Sequence, residues 1–77
     1  MALVTKLEKD DRSIKALHPT QLVCRYMVEE NGGRRILQLN TYGSAERDNP
    51  EKLSQTLQFS EESAQELFEM LKSEFGF

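Results

Sequence analysis

The tripeptide Asn31-Gly32-Gly33, set between two runs of strand-forming residues, constrains this chain more than any other feature. A two-residue hairpin turn of type I′ needs positive φ at both central positions, which glycine and asparagine tolerate. Before the turn, residues 22–29 contain Val23, Cys24, Tyr26 and Val28. After it, residues 34–42 resume an extended pattern that ends in Tyr42. The two runs are therefore expected to pair as one antiparallel β-hairpin.

Side chains alternate across a strand, so each run divides into two faces. Leu37 and Leu39 point one way, and Gln38, Asn40 and Tyr42 the other. Cys24, Tyr26 and Val28 form the apolar set of the first strand, with Arg25 and Glu29 opposite. Val23, Met27 and Ile36 interrupt a clean split. Such a sheet is expected to have one core face and one polar face carrying apolar spots.

Residues 43–53 read as a loop, because Gly43-Ser44 and Asp48-Asn49-Pro50 break regular structure. Residues 55–59 read as a third strand, with Leu57 and Phe59 inward and Thr56 and Gln58 outward. Ser60 then caps a helix, since its hydroxyl can accept from a free first-turn amide. Glu61 and Glu62 suit the positive end of the helix dipole. Ala64, Leu67, Phe68, Leu71 and Phe75 repeat at helical spacing and predict one apolar stripe facing the sheet. Gly76 permits the left-handed turn that ends a helix. Residues 1–19 are weakly patterned and form an arm: an extra strand, a helical turn or a loose tail. His18-Pro19 closes it.

With 77 residues the chain makes one domain, spanning 20–77 behind the arm, whose core is marginal. Leftover apolar side chains on so small a domain point to a homodimer. The single cysteine excludes an internal disulfide and a cysteine-rich metal site. No apolar run reaches the length of a membrane span or a signal-peptide core, and a cytoplasmic protein is expected.

Reactive groups are sparse. His18 is the one histidine; it sits in the arm without an evident acid or nucleophile and reads as a surface residue. Cys24 on the apolar face reads as a small buried hydrophobe. Gly32-Gly33 lies in a hairpin rather than between a strand and a helix, so it is no phosphate loop. No catalytic residue, metal site, cofactor or small-molecule substrate is expected, and the chain is read as non-enzymatic.

Binding is the remaining class. Arg25, Gln38, Asn40, Tyr42, Thr56 and Gln58 share the polar face if the strands are adjacent. Their amides and hydroxyls can meet base edges, and a tyrosine ring can stack on a base. Arg34 and Arg35 at the hairpin tip, with Arg47 and Lys52 in the loop, could bracket a nucleic-acid strand with positive charge. The net charge of −3 argues against coating nucleic acid by bulk charge. Polar residues on an outer face also serve solubility alone, and Val23, Met27 and Ile36 could instead contact a protein. Both accounts stay open on the residues.

The order of elements also resembles a known family. The stretch runs from Arg25-Tyr26-Met27-Val28 through Gly32-Gly33-Arg34-Arg35 and Ile36-Leu37-Gln38-Leu39-Asn40-Thr41-Tyr42. It continues with Leu57-Gln58-Phe59-Ser60-Glu61-Glu62 into Leu67 and Leu71. In this it is similar to the C-terminal domain of the transcriptional coactivator positive cofactor four and its bacterial single-stranded-DNA-binding relatives. The resemblance implies a curved four-stranded sheet with one helix, dimerisation through the helices, and a grip on single-stranded DNA. It assigns Arg34 and Arg35 to a basic hairpin, Tyr42 to the strand aromatic and Lys52 to a phosphate contact. The acidic and polar loop departs from that family's glycine- and lysine-rich one.

The expected fold is thus α+β: a three- or four-stranded curved antiparallel sheet packed by one C-terminal amphipathic helix. The expected function is single-stranded DNA or RNA binding across the open sheet face, in transcription or DNA maintenance, through Arg25, Arg34, Arg35, Asn40, Tyr42, Arg47 and Lys52. The alternative is a protein-interaction module or homodimer with no nucleic-acid role.

Overall fold

The computed structural model describes residues 1–43 and 52–77. Strands β2 (Cys24–Asn31) and β3 (Arg34–Tyr42) form the expected hairpin, in register from Asn31 opposite Arg34 to Cys24 opposite Thr41. Gly32 and Gly33 take φ of 62° and 79°, the left-handed pair a type I′ turn demands. Strand β4 (Leu53–Phe59) pairs antiparallel with the other edge of β3 and begins two residues earlier than its pattern predicts.

The arm supplies the fourth strand, β1 (Ala2–Val4), and the sheet order is β1-β4-β3-β2. β1 lies parallel to β4, so the sheet is mixed where an antiparallel one was expected. The direction follows from what comes next in the chain. β4 runs into the helix α1 (Glu61–Phe75), and beyond β1 the arm runs beside that helix. The Leu7 amide donates to Glu66 Oε1 (3.0 Å) and the Lys9 ammonium meets Glu74 Oε2 at 3.2 Å. Further along, residues 10–23 form no strand or helix.

Ser60 and Ser63 start α1 with a reciprocal capping box. The Ser63 amide donates to Ser60 Oγ (3.2 Å), and the Ser60 amide donates to Ser63 Oγ (2.9 Å). Ser63 Oγ also donates to the Val4 carbonyl at 2.6 Å, which ties β1 to the helix. At the far end Gly76 is left-handed, and its amide returns to the Lys72 carbonyl at 3.0 Å.

Helix α1 lies on the face that carries Val28, Leu37 and Phe59. It reaches only that end of the sheet. Phe59, 5% exposed, is the one fully buried apolar side chain among the described residues. The apolar stripe of α1 was expected to face the sheet throughout, yet Phe68 is 57% exposed. Cys24, expected to be buried, is also exposed, because β2 is an edge strand whose residues all reach the surface.

A candidate nucleic-acid interface on the open sheet face

The face opposite the helix is where alternation gathers the polar residues. Arg25, Met27 and Glu29 of β2 lie opposite Asn40, Gln38 and Ile36 of β3. On the other side of β3, Gln58 and Thr56 of β4 stand opposite Gln38 and Asn40. These side chains bond one another in a row across the two central strands. Gln58 Nε2 donates to Gln38 Oε1 (2.8 Å), and Gln38 Nε2 donates to Asn40 Oδ1 (3.0 Å). Thr56 Oγ1 donates to the same Asn40 oxygen at 3.1 Å. The row is substantially shielded from water: Asn40 and Thr56 are buried, while Leu57 on the nominal core face of β4 is exposed.

At one end of the row the Arg25 guanidinium sits over the Tyr42 ring, 4.9 Å from its centroid. The two residues are diagonal neighbours, since Arg25 pairs with Asn40. A cation held on a ring face adds electrostatic attraction to the contact. At the other end a depression of about 430 Å³ is lined by Leu3, Met27, Ile36, Gln38, Gln58 and Arg34, with Glu29 at its edge. Met27 and Ile36, which interrupt the alternation in the sequence, form its apolar floor. Leu3 completes it through the register of β1, opposite Gln58.

The other expected site residues divide. Arg34 lies on the open face; Arg35, its neighbour in a strand, points to the helix side beside Val28, Leu37 and Phe68. The tip is therefore not one basic patch, and this separation is the period-two geometry of a strand. Both arginines also stand beside acids. The Arg35 amide donates to Glu61 Oε1 (3.1 Å). The Glu62 carboxyl is held below its usual range by its own backbone amide, by the Ser60 hydroxyl and by the Arg34 charge. Asn40 is on the expected face, but its Oδ1 is already engaged twice, so it braces the row. Lys52 is exposed at the start of β4, where its carbonyl accepts from the Gly43 amide at 3.3 Å. Arg47 lies outside the described residues.

Gln38, Thr56 and Gln58 emerge as the body of the site. Their alternation in the sequence marks the face, but nothing local marks their mutual bonds. Among the described residues no group of three or more His, Cys, Asp and Glu side chains is placed to hold a metal ion, and no helix is long and apolar enough to cross a membrane. Comparison of the chain with protein-family models, curated proteins and solved structures gives no match.

Proposed function

We infer that the open sheet face binds single-stranded nucleic acid, with a role in transcription or DNA maintenance as the setting. The observation that carries this reading is the Arg25–Tyr42 pair standing at the end of a bonded carboxamide row. A base laid against Tyr42 would contribute by stacking, and Arg25 would extend the platform and meet phosphate. The braced row presents amide groups in fixed positions, which lowers the ordering cost of binding. Between Arg34 and Asn40 the face is about 20 Å long at about 3.3 Å per strand residue. That length suits roughly six nucleotides at about 3.4 Å spacing. Arg34 would hold phosphate at the far end, and Lys52 lies beyond Tyr42.

The test is a titration of isotope-labelled protein with a short mixed-sequence single strand at low salt. Amide shifts should centre on Arg25, Met27, Gln38, Tyr42 and Gln58 and fade as salt rises. Tyr42→Ala should weaken binding by about 1–3 kcal/mol. Each arginine contact should add about −0.7 to the slope of log affinity against log salt. No shifts at millimolar nucleic acid, or shifts insensitive to salt, would defeat the reading. The alternative, a protein-binding module, is favoured by the exposed apolar residues on the opposite, helix-side face.

A further inference from the structure

The helix-side face is too bare for a chain that folds alone. A compact monomer of 8.9 kDa exposes about 4800 Å², whereas this chain exposes 7012 Å². Its radius of gyration is 14.6 Å, against about 11.5 Å for a compact domain of this length. The excess lies in the extended arm and on the helix side of the sheet. There Tyr26 is 74% exposed, Val28 50% and Leu57 38%, and on the helix Phe68 is 57% and Phe75 66% exposed. Phe68 and Phe75 are seven residues apart and share one side of α1. The three aromatics alone leave about 400 Å² uncovered, taking about 200 Å² for each ring-bearing side chain.

The geometry points to a second copy of this chain as what covers that face, in a two-fold contact of helix side against helix side. Three observations select a second copy. The area fits: the exposed aromatics with Val28 and Leu57 approach the roughly 800 Å² per partner of a standard interface. The five named side chains are uncharged, so the patch can meet its own copy without like-charge repulsion. The core needs it: with Phe59 as the one fully buried apolar side chain among the described residues, folding and association must be one process. A two-fold contact is also the commonest closed arrangement for a self-complementary patch. A depression of about 490 Å³ between Val28, Leu37, Ala64 and Phe68 offers a socket for a partner's ring.

The experiment uses the full chain without nucleic acid, so its outcome is independent of the ligand reading. Sedimentation equilibrium from micromolar to millimolar protein should give twice the 8.9 kDa chain mass. Tyr26→Ala should raise the dissociation constant at least about tenfold. Met27→Ala, on the opposite face, should change it less than about threefold, as expected away from an interface. Should Tyr26→Ala fail to fold, the parent decides: its thermal midpoint must rise with protein concentration. In a mixed labelled and unlabelled sample, contacts between copies should involve Tyr26, Val28, Leu57 and Phe68. A folded chain with single-chain mass throughout, a midpoint independent of concentration, or contacts confined to Leu3, Met27 and Ile36 would overturn the proposal.

Discussion

Ser63→Ala should be the most damaging single-atom deletion in the chain. Ser63 is wholly buried, and its hydroxyl serves two purposes at once. It donates to the Val4 carbonyl at 2.6 Å and accepts from the Ser60 amide at 2.9 Å. A typical intramolecular hydrogen bond contributes about 0.5–1.5 kcal/mol net, and more is lost when a buried partner is left unpaired. Removing both bonds should therefore cost about 2 kcal/mol. The Val4 carbonyl would keep only the long contact from the Ser60 amide at 3.5 Å. Ser60→Ala is the calibrating variant: it removes the acceptor for the Ser63 amide and should cost about 1 kcal/mol, the usual loss of a cap.

The assay is urea unfolding at one fixed protein concentration, because association would otherwise shift the midpoint. With a slope of about 1 kcal/mol/M for a small domain, the Ser63→Ala midpoint should fall by about 2 M. The thermal midpoint should fall by about 8–16 °C. Hydrogen exchange gives a local check, since the β1 amides should exchange faster in Ser63→Ala than in Ser60→Ala. A loss below about 0.5 kcal/mol, or one no larger than that of Ser60→Ala, would refute the claim that this hydroxyl joins β1 to the helix.

Two further outcomes follow from the same geometry. Asn40→Ala removes the common acceptor of Gln38 and Thr56 and should cost about 2 kcal/mol in urea unfolding; an unchanged midpoint would mean that the row adds no stability. The lowered Glu62 carboxyl favours folding once it is ionised. Its contribution is present above the ordinary value of 4.5 and is lost as pH falls through the lower folded value. Glu62→Gln should therefore flatten the acid limb of a stability–pH curve, and an acid limb identical to the parent's would remove Glu62 from the account.

What was legible in the sequence was whatever is decided locally. Gly32 and Gly33 are the residues that a type I′ turn requires, so the hairpin and its register could be read directly. The helix announced itself through Ser60, its apolar spacing and Gly76. β1 could not be read with the same force, because Ala2-Leu3-Val4 is too short to show a period. What makes it a strand is distant in the chain: the open edge of β4, and Ser63 bonding the Val4 carbonyl. Its parallel direction is equally non-local, set by an arm that follows the helix.

The candidate site was legible in direction more than in degree. Alternation correctly put Arg25, Gln38, Asn40, Tyr42, Thr56 and Gln58 on one face, and the same rule separates Arg34 from Arg35 although they look like one basic patch in the sequence. Burial is a different matter. A period of two fixes where a side chain points but not what lies over it. Thr56 is buried because Asn40 and its neighbours close around it, while Leu57 is exposed because the helix stops short of it. The polar face thus covers part of itself and the apolar face is left open, which is why the two proposed surfaces fall on opposite sides of the same strands. Along β2 they are interleaved residue by residue, Arg25 and Met27 belonging to one and Tyr26 and Val28 to the other. A sheet this small can carry two surfaces without conflict because one step along a strand changes which surface a residue serves.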